Sequence, residues 1–291
     1  MNAVALLHLA ITTSIMLVVS GLGLHATWQD ALYLFREPRL LIRSLLSMNV
    51  VMPLVAMALV VVLDLPLPVK IALVALAVSP VPPLLPNKEA KAGGRVSYAI
   101  GLLVALAMLS IVVVPITVSW FASVFDRSGH IAPAQVAKVV LSSVLVPLAA
   151  GIVVRHLFPA LAAKLARPVS ILGMVLLVVS GLPLLHAAWP AVQALIGSGT
   201  VLVFAAMAVI GLAVGHALGG PDASTRTVLA LSTTSRHPAV ALTVALGSGA
   251  DKMQALAAVL LYVIIALLIS IPYVAWRRKR TPAANAAVPS P

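Results

Sequence analysis

Long apolar runs follow one another from end to end of this chain, separated by short stretches that carry nearly all of its charge. At about 20 apolar residues per bilayer crossing, they divide into nine predicted transmembrane helices, near 4–25, 38–63, 68–86, 96–122, 135–157, 168–188, 199–218, 226–248 and 253–276. An odd number of crossings puts the termini on opposite sides. Two of the nine segments, in corresponding positions of the two halves, are interrupted. The third contains SPVPPLLPNK, from Ser79 to Lys88, and the eighth contains STTSRHPAV, from Ser232 to Val240. Proline has no N–H and clashes with the preceding turn, so Pro80, Pro82, Pro83, Pro86 and Pro238 must break these helices and free backbone groups. Such backbone is tolerated at membrane depth only where protein or a watery cavity surrounds it. Paired breaks in two halves are a signature of inverted-repeat transporters; two merely kinked structural helices are the plainer alternative.

Composition narrows the class. Hydrophobic residues make up 62% of the 291 positions and charged ones 9%, against about 25% charged in a soluble domain. The expected fold is therefore an all-α polytopic membrane protein. A net charge of +12 raises nucleic acid as a partner, but the cations neither interleave with aromatics nor follow one amphipathic face, so the bilayer is the expected partner. There is no cysteine, hence no disulfide or thiolate chemistry. The first apolar run lacks a basic leader and is too long for a typical signal peptide, so it reads as a retained span.

The cations instead follow topology. Arg36, Arg39, Arg43, Lys88, Lys91, Arg95, Arg155, Lys164, Arg167, Arg226, Arg277, Arg278, Lys279 and Arg280 fall in one set of loops and ends, whereas the other set holds Lys70, Arg127, Lys138 and Lys252. The basic set marks the cytoplasm, which places the N terminus outside and the C terminus inside a bacterial-type inner membrane. Of the cations, Arg236 alone is left at membrane depth. The expected transporter unit covers 1–276, and 277–291 form a basic, Ala/Pro-rich tail expected to be disordered.

The stretch SGLGLHATWQDALYLFREPRLLIRSLLSMNVVMPLVAMAL, with its Gly-x-Gly-Leu, amphipathic loop, Arg-x-Pro-Arg order and Met-Pro-Leu, resembles the bile acid:sodium symporter family, and the order of segments matches over most of the chain. The resemblance implies the nine-helix form of an inverted-repeat fold similar to sodium/proton antiporters, with two crossing broken helices. It further implies a panel domain, about 4–25 and 135–188, and a core domain, about 38–122 and 199–276. It implies transport of an organic anion by alternating access, coupled in the family to two sodium ions.

The motif positions depart from the family. Ser232 stands where the family's second crossing carries a Glu, and Arg236 and His237 stand where it carries Gln-Asn. In the first crossing, Pro80-Val81-Pro82-Pro83 and Pro86-Asn87-Lys88 keep only the proline and Asn87 of the family's Pro-Gly-Gly and Ser-Asn. Sodium needs oxygen ligands and a nearby negative charge, whereas a guanidinium about 4 Å away repels it by several kcal/mol at an effective dielectric near 20. Ordinary sodium coupling is therefore expected to be lost or rebuilt.

Arg236 is the main site candidate, because an arginine at membrane depth costs at least about 2.5 kcal/mol and must find an acceptor. It either forks onto a substrate carboxylate, sulfonate or phosphate near the positive end of the half-helix starting at Pro238, or permanently replaces sodium by donating to loose carbonyls. A pairing with Glu89 would favour the structural role. His237 is a proton-coupling candidate or a neutral ring held by carbonyls. Lys88 and Glu89 belong to the site or to the basic loop NKEAKAGGR. Asn87, Ser232, Thr233, Thr234 and Ser235 offer neutral hydrogen bonds to a substrate or to the broken helices. His8, His25, His130, His156, His186 and His216 lack metal-site spacing, and Gly93-Gly94 lacks a phosphate-binding context. Gly211 and Gly215 read as a close helix contact. With no catalytic arrangement or cofactor motif, an enzyme is not expected. The alternatives to a sodium-independent carrier are a sodium symporter with displaced ligands and a non-transporting receptor or sensor.

Overall fold

The computed structural model describes residues 3–124, 131–197 and 199–280. The tail from 281 and the positions Arg127 and His130 lie outside the described residues. Among the described residues every regular element is helical. The first predicted span is α1 (Ala3–His25), followed by two short helices, α2 (Trp28–Ala31) and α3 (Tyr33–Arg36). The second span is α4 (Pro38–Leu45), a π turn (Leu46–Val51) and α5 (Met52–Val62). The third is broken into α6 (Leu67–Val78) and α7 (Leu85–Lys91), and the fourth is α8 (Val96–Val124). The fifth again contains a π turn (Leu141–Leu145), between α9 (Pro133–Val140) and α10 (Val146–Leu157). There follow α11 (Pro159–Leu195), α12 (Thr200–Leu218), the broken pair α13 (Ala223–Thr234) and α14 (Pro238–Gly247), and α15 (Lys252–Arg280). Among the described residues, six continuous helical stretches are long and apolar enough to cross a membrane, while Leu9–His25 within α1 and Leu67–Val78 are shorter apolar stretches. The chain is a multi-pass, all-α membrane protein.

Prolines set many of the boundaries. Pro38, Pro133, Pro159 and Pro238 open α4, α9, α11 and α14, where a missing N–H costs nothing and the fixed φ suits the first turn. The sixth span is much longer than the apolar count suggested. Lys164 and Arg167 interrupt the apolar run after Pro159, but the segment is rich in alanine and leucine, so the helix continues through them for 37 residues.

Packing follows the small residues. α1 lies against α10 and α11. At its contact with α10, a Cβ on Gly151 would stand 2.4 Å from the Ser20 carbonyl oxygen. α12 lies along α13, where a Cβ on Gly215 would stand 2.4 Å from Leu229 O, which is the close contact that the Gly211/Gly215 spacing predicted. Among the long helices described, α8 is the most enclosed, with 67% of its most apolar stretch buried, whereas α11 has only 11% buried and is a lipid-facing wall.

The basic loops come together at one end. Arg95 donates to the Tyr33 hydroxyl and pairs with Asp222 at 3.8 Å. Arg278 Nε donates to Lys91 O, Arg277 to Thr227 Oγ1 and Ala223 O, and Arg226 to Gly220 O. The loop after α1 docks there too. Thr27 and Asp30 cap α2 reciprocally, and Asp30 Oδ1 accepts from Ser97 of α8.

Candidate functional site

The two broken helices cross at their breaks, with α6 beside α14 and α7 beside α13. In a continuous helix the carbonyl of residue i bonds the N–H of i+4, and a proline there leaves it orphaned. Pro83 orphans the Ser79 carbonyl, and Pro238 orphans that of Thr234. The structure satisfies both with side chains. Arg236 Nη1 donates to Ser79 O at 3.2 Å, and the Tyr262 hydroxyl of α15 donates to Thr234 O at 2.6 Å. The breaks are also joined through the backbone, His237 N donating to Pro80 O at 2.9 Å.

Arg236 is 2% exposed and His237 1%. Only one arm of the Arg236 fork is used, since Nε and Nη2 have no partner. His237 Nε2 meets Ser143 Oγ at 3.2 Å, while Nδ1 has no partner. Each π turn thus presents a serine to the second crossing helix. Ser143 reaches His237 after the break, and Ser47 reaches Thr233 Oγ1, at 2.7 Å, before it. The Thr233 and Thr234 hydroxyls at the end of α13 are engaged internally. Thr233 bonds Ser47, Thr234 Oγ1 donates to Ala208 O and Ala230 O, and the half-buried Ser235 donates its backbone N–H to Leu231 O.

The sequence leaves Glu89 open between the site and a basic loop. Glu89 does not belong to the loop. α7 restarts at Leu85 and turns Leu85, Pro86, Glu89 and Ala92 inward at helical spacing, so Glu89 is fully buried. It does not pair with Arg236 either: no ion pair joins them, and Glu89 Oε1 instead accepts from Ser232 Oγ at 2.5 Å, with Oε2 unpartnered. A carboxylate from the first crossing therefore stands against Ser232, the position where the family pattern carries its glutamate. Asn87 and Lys88 lie half-buried on the outer face of α7. Pro80, Pro82 and Pro83 form the irregular first break, and Pro86 opens α7.

Ser47, Ser143 and Tyr262 escaped the sequence reading. Only Tyr262 left a readable signal, a polar ring in an apolar run that also lies across from an orphaned carbonyl. Among the described residues, no three His, Cys, Asp or Glu side chains are grouped to hold a metal.

Crossed broken helices inside a polytopic α-helical membrane protein, with buried polar side chains gathered at the breaks, define a transporter fold. The chain belongs to the sodium bile acid symporter family, whose model matches residues 12–184. The match includes the first crossing and ends before the second, where Arg236 and His237 stand. No curated protein matches the chain.

Proposed function

We propose that the chain is a secondary transporter of a small organic anion, working by alternating access, in which Arg236 takes over the place of the family's sodium. The observation that carries this reading is the unpaired Nε–Nη2 edge of a buried guanidinium whose third nitrogen is tied to Ser79 O. That edge matches the two oxygens of a carboxylate or sulfonate, and the tied arm keeps a fixed cation between the breaks. The first turn of α14, opening at Pro238, adds its positive end.

The packing supports a division into a panel of α1, α9, α10 and α11 and a core of the remaining long helices, the core moving against the panel around the crossing. Ser143 to His237 is then a polar contact between the two parts. The gathering of the basic loops at one end supports a plasma-membrane protein with its N terminus outside and C terminus in the cytoplasm.

Uptake of labelled organic anions into proteoliposomes, with sodium or choline outside, tests the reading. Sodium-independent flux that falls on the order of 10- to 100-fold in Arg236→Ala and Arg236→Gln is expected, the worth of a charge-assisted hydrogen bond or two. Arg236→Lys keeps the charge but not the fork and should weaken affinity more than maximal rate. Strict sodium dependence would overturn the reading in favour of displaced sodium ligands.

A further inference from the structure

Two buried ionisable side chains of opposite kind, Arg236 and Glu89, lie at the crossing without meeting. Among the described residues, Arg236 has no carboxylate within 4 Å and Glu89 has no cation within 4 Å. With Glu89 ionised, the two make the crossing neutral before an anion binds. An anion seated on the free edge of Arg236 gives the closed site a net charge of minus one, and burying an uncompensated charge is costly. Neutrality returns if one proton is bound with each monovalent anion.

The crossing offers two unpartnered atoms able to take that proton, Glu89 Oε2 and His237 Nδ1. Protonating His237 would set a second cation beside Arg236, its neighbour in the chain. Protonating Glu89 would remove a charge that has no ion-pair partner within 4 Å among the described residues, and Ser232 already occupies Oε1, which leaves Oε2 to receive the proton. The groups facing Glu89 allow this. α13 presents the neutral Ser232, α8 presents the Tyr98 hydroxyl, and Lys88 on α7 is the cation acting on it.

We propose that Glu89 carries the coupled proton, binding it on Oε2 as the anion engages Arg236 and releasing it with the anion on the far side. The protein then moves one proton with each monovalent anion and no net charge. This rests on the organic-anion reading above.

The test is made in proteoliposomes with labelled pyruvate, taurocholate and glycerol phosphate as carboxylate, sulfonate and phosphomonoester probes. For a monovalent probe, an outside-acid gradient of about one pH unit should drive about tenfold accumulation by the wild type, because a tenfold proton ratio balances a tenfold anion ratio. An imposed potassium-diffusion potential should leave that accumulation unchanged. In Glu89→Gln, accumulation should vanish while exchange of labelled for unlabelled anion, which needs no net proton movement, continues and shows that the variant is folded. Accumulation that survives in Glu89→Gln, or that is lost in His237→Asn but kept in Glu89→Gln, overturns the assignment to Glu89. Accumulation driven by sodium but not by pH also overturns it and leaves an anion carrier standing. Absence of exchange of every probe by the wild type removes the carrier reading, and the proton with it.

Discussion

A proline's effect at the crossing is felt four residues upstream, at the carbonyl that its missing N–H leaves alone. Tyr262 answers one such carbonyl and Arg236 the other, so Tyr262→Phe should destabilise the protein by about 1 kcal/mol. A lower unfolding temperature in detergent, with transport affinity little changed, is the expected result. Away from the crossing, partial burial raises the Asp30 carboxyl. Hydrogen bonds from Ser97 and from the Thr27 hydroxyl and amide, with Arg155 nearby, lower it more, so the net shift is below the usual range. A group lowered on folding stabilises fully above its unfolded value, about 3.9 for Asp, and loses that contribution as pH falls through the lower folded value. The stability gap between wild type and Asp30→Asn should accordingly be flat above about pH 5 and narrow in more acid solution. The site was legible in part at this scale. Arg236, His237 and the prolines stood out because they are expensive in an apolar run. The hydroxyl partners did not, because serine and threonine are ordinary in membrane helices and their partners lie far away in sequence, as with Ser47 and Thr233.

Among the elements, the contact between α12 and α13 positions the second crossing, since Gly211 backs Thr234 and Gly215 backs Leu229. Gly215→Val would force the two helices apart and displace Thr234. A loss of about 1–3 kcal/mol is expected from such overpacking, together with loss of transport, measured by thermal unfolding and by uptake. The apolar spacing revealed where helices run, and the prolines at the two polar interruptions revealed where two of them break, although Pro115, Pro168, Pro183, Pro190 and Pro272 sit inside continuous helices. The two π turns were not legible, because an inserted residue changes neither composition nor hydropathy. α7 was also misread. Its cations suggested a loop, whereas burial of Leu85, Pro86, Glu89 and Ala92 on one face is a helical pattern, too short to outweigh the charge around it.

For the molecule as a whole, orientation is open to a direct measurement. The natural chain has no cysteine, so single substitutions report without background. Lys164→Cys should react with a membrane-impermeant maleimide only from the cytoplasmic side, and Lys252→Cys only from outside. The reverse pattern would invert the topology.

The 37-residue α11, at 1.5 Å per residue, is about 55 Å long, whereas a bilayer's hydrocarbon core is about 30 Å. A wall this long, with little of its apolar surface covered by protein, must lean or stand proud of the membrane, and the surrounding acyl chains set which. Bilayer thickness thereby becomes a property the protein senses along one flank, so its turnover should vary with lipid chain length at constant headgroup.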